Sequence, residues 1–166
     1  MQWSAETEGA PEPQELDATD RKLVDILQRD GRITNRELAK AVALSPSACL
    51  QRVRSLRDRG VLLGCHARVG LRALDRGQEA VIAVRFRPHS RPVIDAFEQY
   101  ILDLPETVSL AHAAGADDVL VTVAVKDVAA LREFILDRVT VRPEVAAVNT
   151  TIIFNQIRKT VLQPLD

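Results

Sequence analysis

Gln51 and Arg54 can each form paired hydrogen bonds with a base edge, the glutamine with adenine and the arginine with guanine. Beside them stand Ser47, which donates or accepts, Ala48, which can meet a thymine methyl, and Ser55. Arg52, Arg57 and Arg59 lie further round or further along and suit phosphate oxygens. On a wheel of about 100° per residue, Cys49, Val53 and Leu56 cluster on one side. Ser47, Ala48, Gln51, Ser55 and, at the margin, Arg54 fall on the other. A helix with this outer side fits the major groove of duplex DNA. The bland alternative is a solvated basic face, and the neighbouring residues weigh against it.

Those neighbours write two helix starts in quick succession. Thr34 and Glu37 have the spacing of a reciprocal capping box. Ser45 is a cap, and Pro46 occupies a first turn where its missing N–H costs nothing. Only Ala43 and Leu44 separate Val42 from that second cap, so the two helices must cross sharply, as in a helix-turn-helix. The helix-start groups at Thr34, Asn35 and Ser45 are further candidates for phosphate contact. A preceding helix, capped by Asp17 or Thr19, carries the stripe Leu23, Ile26, Leu27 and ends at Asp30-Gly31. Helix two is expected from about 35 to 42 and helix three from 46 to 59, stopped by Gly60. Residues 61–69 are β-like, a wing or a linking strand, and 70–77 read as a hinge.

The second half alternates strand and helix patterns. Strands are expected at 80–86, 108–114, 118–125 and 145–154, with a possible fifth at 157–162. Ser90 caps a helix with the stripe Val93, Ile94, Phe97, Ile101, Leu104. Asp127 caps another, with Val128, Leu131, Ile135 and Val139 inward. The order β-α-β-β-α-β is the split, ferredoxin-like arrangement. The fold class is therefore α+β: an N-terminal (winged) helix-turn-helix domain and a C-terminal ferredoxin-like domain.

Across 166 residues the net charge is -1 and the sequence pI about 6.3, which hides a strong asymmetry. Residues 1–20 hold six acids and no Lys or Arg, whereas 31–64 hold seven Lys or Arg against two acids. Hydrophobic residues make up 46% and aromatics only 4%, so the core is aliphatic. Cys49 and Cys65 have no metal-ligand spacing and read as reduced, buried thiols of a cytoplasmic protein. The start has neither the basic region nor the apolar region of a signal peptide. No apolar run approaches the roughly 20 residues that span a bilayer, so no membrane partner is expected. His66, His89 and His112 stand in no nucleophile or metal motif, so neither a catalytic residue nor a metal site is expected. A small dimeric ferredoxin-like enzyme, or a metabolite-binding assembly protein, is the alternative that fold alone leaves open.

The stretches Leu16–Leu23, Leu27–Asn35 and Leu44–Val53, continuing through Gly60-Val61 and Gly64 to His66-Ala67, closely resemble the Lrp/AsnC family of leucine-responsive, or feast/famine, transcription regulators. The resemblance covers roughly residues 16–163. It implies domains at 1–15 (a disordered acidic tail), 16–64 (helix-turn-helix, DNA-binding), 65–77 (linker strand and hinge) and 78–166 (effector binding and oligomerisation). It implies double-stranded DNA as partner, homodimers that assemble to tetramers or octamers, and a small effector, commonly an amino acid, in place of any cofactor. Part of the family's effector site is a turn reading Gly, two variable residues, Asp. Here that is Gly115-Ala116-Asp117-Asp118, with Asp117 where an aromatic is common. Ala43 stands where the family has the first turn's glycine, and Cys65 where an aromatic is common. Glycine admits positive φ and close approach, exposed N–H groups can hold a carboxylate, and Asp117 or Asp118 could pair with an ammonium. The alternative is a plain hairpin turn with acids in water. His112, nearby on its strand, is either a pocket wall or an ordinary strand histidine.

Overall fold

The computed structural model describes residues 15–165. The acidic stretch 1–14, most of the tail expected at 1–15, lies outside them. The chain divides into two compact units, residues 1–67 with 157–166, and residues 68–156.

The first unit holds three helices, α1 (Ala18–Arg29), α2 (Asn35–Ala41) and α3 (Pro46–Asp58). Asp17 caps α1, its carboxylate accepting from Asp20 N–H at 2.7 Å. Thr34 and Glu37 complete the capping box, and Ser45 caps α3 with Pro46 in its first turn. Between α2 and α3 the chain turns at Ala43, at φ 56, a left-handed conformation that strains a residue with a Cβ. Gly60, at φ 71, ends α3 where only glycine is unstrained. Leu23, Cys49 and Leu56 are fully buried where the three helices meet, with Leu38, Ala39 and Val53 around them.

Three expectations change in this unit. Residues 61–69 form no strand, and Cys65 is exposed, its thiol 3.5 Å from the Gly31 carbonyl. Residues 157–162 are not a fifth strand of the sheet either. They belong with the helices, because the Gln28 amide donates to the Leu162 carbonyl at 3.0 Å and accepts from Leu162 N–H at 2.7 Å. Gln163 adds a bond to Asp25 at 2.9 Å. A side-chain amide thus pairs this segment as a neighbouring strand would.

The second unit is a four-stranded antiparallel sheet with two helices on one face. Its elements are β1 (Gln78–Phe86), α4 (Arg91–Leu102), β2 (Thr107–His112), β3 (Val119–Val125), α5 (Val128–Phe134) and β4 (Val145–Ile153). The strand order β2-β3-β1-β4 is that of the ferredoxin-like fold. Alternation along β1 and β3 sends Ala80, Ile82, Val84, Val119, Val121 and Val123 to the helix side, where they meet Phe97, Ile101, Leu131 and Phe134. Phe86 and Phe97 meet edge to face at 4.9 Å. Val81, Ala83, Leu120, Thr122 and Thr151 share the opposite face, which carries no helix.

Helix α5 departs from its expected stripe. It runs into a π turn at Ile135–Val139, and the extra residue per turn rotates the inward face. Phe134 is buried, Ile135 half-buried, and Val128, expected inside, is 55% exposed.

Candidate nucleic-acid interface and effector turn

The outer side of α3 is built by subtraction. Cys49, Val53 and Leu56 face the core, and burial raises the pKa of the Cys49 thiol above the ordinary range. What remains outside is Ser47, Gln51, Arg54, Ser55 and Arg57, all exposed, with Ala48 half-buried. The side chains of Gln51, Arg54, Ser55 and Arg57 make no hydrogen bond or ion pair among the described residues.

The remaining candidates are engaged inside the unit. Arg52, expected at a phosphate, donates from Nη1 to Asp17 at 2.6 Å and to Asp20 at 2.8 Å. Asp20 is buried at 6% exposure, and its second oxygen lies 3.4 Å from Arg59. Arg59 also donates to the Glu15 carbonyl at 2.8 Å. These contacts tie α3 to the start of α1. The Asp20 N–H, first, and the Arg52 guanidinium, second, hold the Asp17 carboxyl below its usual range. Asn35 donates to the Pro46 carbonyl at 2.8 Å and so locks the start of α2 against the start of α3. The Thr34 hydroxyl donates to Glu37 at 2.7 Å, and the Ser45 hydroxyl accepts from Ala48 N–H at 3.2 Å and lies 3.1 Å from that of Ser47. The hydroxyl and backbone N–H of Thr34 lower the Glu37 pKa. Arg52 and Asn35 are therefore engaged within the unit, where they tie α3 to the starts of α1 and α2. The sequence held no signal of this, since the partners are some 35 residues apart and meet only once the helices cross.

In the second unit the loop after β2 carries Gly115, Ala116, Asp117 and Asp118. Asp118 already has partners within the unit. One oxygen accepts from Phe86 N–H at 2.8 Å, the other lies 3.0 Å from His89 Nδ1, and the side chain is 17% exposed. It anchors the loop to the end of β1. Asp117 is more open at 29%, with Arg85 at 4.0 Å. Arg85 also donates to the Ala116 carbonyl at 2.8 Å. Gly115 does not have positive φ, contrary to one reason offered for a glycine there, but nothing lies within 4 Å of the place its Cβ would take. The N–H groups of Gly115, Ala116 and Asp117 meet no acceptor among the described residues. His112 pairs with Glu98 at 3.0 Å on the helix side of the strand end. Among the described residues no group of three or more His, Cys, Asp or Glu could hold a metal, and no helix is long and apolar enough to cross a membrane.

Two family models match the chain: a winged helix-turn-helix DNA-binding model over residues 16–62 and the Lrp/AsnC ligand binding domain over 79–162. Among curated proteins it is 33% identical to the HTH-type transcriptional regulator AldR of Mycolicibacterium smegmatis, over 92% of this chain and 91% of that one. It is also 33% identical to the leucine-responsive regulatory protein of Rhizobium meliloti, over 87% and 92%. Among solved structures, a transcriptional regulator of Neisseria meningitidis in complex with L-methionine superimposes with TM-score 0.81 at 32% identity, covering 92% of this chain and 98% of that one. The feast or famine regulatory protein of M. tuberculosis complexed with L-methionine gives TM-score 0.77 at 34% identity, covering 87% and 96%.

Proposed function

The chain belongs to the Lrp/AsnC family of helix-turn-helix transcription regulators, and on that premise we propose how it reads DNA and what it senses. The outer row of α3 enters the major groove. Gln51 and Arg54 meet base edges, Ser47, Ala48 and Ser55 complete the contact, and Arg57 binds a phosphate. Arg52 and Asn35 hold the helix in place without touching DNA. One observation carries this division: Gln51, Arg54, Ser55 and Arg57 are exposed and unpartnered, while Arg52 is spent on Asp17 and Asp20. Two heads of a homodimer read half-sites about 10.5 base pairs, or a multiple, apart. The dimer forms through the sheet face that carries Val81, Ala83 and Leu120, and dimers build tetramers or octamers. The protein works in the cytoplasm as a regulator and catalyses nothing.

The effector is an amino acid held at the loop after β2. Its carboxylate takes the free N–H groups of Gly115 to Asp117, and its ammonium pairs with Asp117. His112 shapes the wall, and Asp118 keeps the loop in place. The L-methionine complexes of two relatives support an amino acid of this kind. Binding shifts the equilibrium between assemblies, which requires unequal affinity for them.

Fluorescence anisotropy on a promoter duplex and a random duplex, across a salt series, tests the DNA half. Gln51→Ala should cost about 1–3 kcal/mol on the cognate site and little on the random one. Arg57→Ala should weaken both and flatten the log–log salt slope by about one unit. Equal losses of both variants on both duplexes would overturn the assignment. For the effector half, a calorimetric panel of amino acids that binds none would end the proposal.

A further inference from the structure

The far end of the same sheet holds a cavity that the turn at Gly115 does not explain. Its volume is about 400 Å³, at the small end of the roughly 300–1,000 Å³ range of ligand clefts. It opens where β3 ends, whereas the turn lies where β3 begins. The seven residues of β3 separate the two by about 20 Å. Val125, Ala130 and Phe134 give it an apolar floor. Gly77 fixes one side: a Cβ there would lie 2.8 Å from the Lys126 carbonyl, so only glycine lets the chain entering β1 run so close to the chain leaving β3. The π turn at Ile135–Val139 forms the opposite side and turns Asp137 and Arg138 toward the cavity. Such turns recur at functional sites.

The charges lining the cavity are incompletely paired. Lys126 sits 3.8 Å from Asp75, and Arg76 donates to the Pro105 carbonyl. Glu106, Glu133, Asp137 and Arg138 line the same space, and their side chains have no hydrogen bond or ion pair among the described residues. Glu133 and Asp137 stand on one wall, with no cation paired to either among the described residues. The set without an opposite charge is three carboxylates and two guanidiniums, Arg76 and Arg138, around an apolar floor, so one negative charge is left over. Its complement is a molecule with two cationic groups, one carboxylate and a short methylene chain. We propose that this cavity is a second small-molecule site and takes an amino acid with a cationic side chain, of the L-lysine or L-arginine kind. The ligand carboxylate meets Arg138, its two cationic groups meet Glu133, Asp137 and Glu106, and its methylenes lie on Val125, Ala130 and Phe134. The site is independent of the effector turn and does not rest on the reading given to it.

Isothermal titration of the full-length Asp117→Ala variant, in which the turn is silenced, with L-lysine, L-arginine, L-norleucine and cadaverine tests this. The two basic amino acids should bind. L-norleucine lacks the side-chain cation and cadaverine the carboxylate, and each should bind about tenfold more weakly or not at all. Glu133→Gln with Asp137→Asn should weaken L-lysine by about tenfold or more. Both side chains are exposed, so an unchanged circular-dichroism melt is expected of the double variant. No heat from either basic amino acid at millimolar concentration would overturn the proposal. So would equal binding of L-norleucine or cadaverine, or an L-lysine affinity that Glu133→Gln with Asp137→Asn leaves unchanged. A failure of the turn to bind amino acids would show as L-methionine heat that is the same in the unsubstituted chain and in Asp117→Ala, and would leave this site standing.

Discussion

Among the described residues, seven buried apolar side chains cluster between the three helices, and thirteen cluster between the sheet and its two helices. The smaller cluster is supplemented by charge: Asp20 is buried between Arg52 and Arg59, and Asn35 stitches the two helix starts together. The sheet unit has no buried charged residue among those described and relies on Val, Ile and Phe packed along β1 and β3. A three-helix unit of this size buries too little apolar surface to fix helix angles by packing alone. Directional contacts set them instead. In a head that must present α3 to a groove, the angle matters as much as the stability. The lesson is that a basic helix cannot be read as a uniform DNA-binding surface, because some of its arginines are needed to hold it still.

The largest test of this contrast is Ile82→Ala. Fully buried in β1, it should cost the sheet unit about 2–5 kcal/mol, measured by denaturant unfolding. Asp20→Ala comes next. It removes the acceptor for two guanidinium groups and should destabilise the head by about 2 kcal/mol, with promoter affinity falling alongside. An unchanged melt for Asp20→Ala would mean the charges contribute no more to the head than surface pairs do. Arg52→Gln and Arg57→Gln separate support from contact more finely. The first should lower the melting temperature and keep the salt slope; the second should do the reverse, losing about one unit of slope. Acid gives a related signature. Asp17 has its pKa depressed in the folded head, so it contributes stability above the ordinary aspartate value of about 3.9, and that contribution is lost as pH falls through the lower folded value. The head should therefore loosen below about pH 4, and less so in Asp17→Asn, by circular dichroism. The smallest effect is Ala43→Gly, which relieves the left-handed turn and should stabilise the head by about 0.5–1 kcal/mol.

Local signals in the sequence carried far. The Thr34–Glu37 box, Ser45-Pro46 and the Gly60 stop depend on residues within one turn of each other, and all three are realised. The alternation in β1 and β3 and the βαββαβ order were equally readable, because period and order are properties of the chain itself. Contacts between distant residues were not. Arg52 looks like any other arginine on α3 until α1 brings Asp17 and Asp20 to it. Asp118 reads as a ligand for an ammonium until His89 and the Phe86 N–H claim its oxygens. Phe134 and Val139 are both buried, five positions apart across the π turn, because a wheel of fixed pitch has no place for an inserted residue. Residues 157–162 have the composition of a strand, yet their partner is a glutamine side chain on a helix.

That glutamine has a consequence for how the molecule is made. Gln28 and Leu162 are 134 positions apart. During synthesis the segment that Gln28 grips follows it by 134 positions, well after the three helices. The DNA-reading head is thus begun first and finished late, and a nascent chain that folds its domains in order would carry an uncompleted head until translation reaches Leu162.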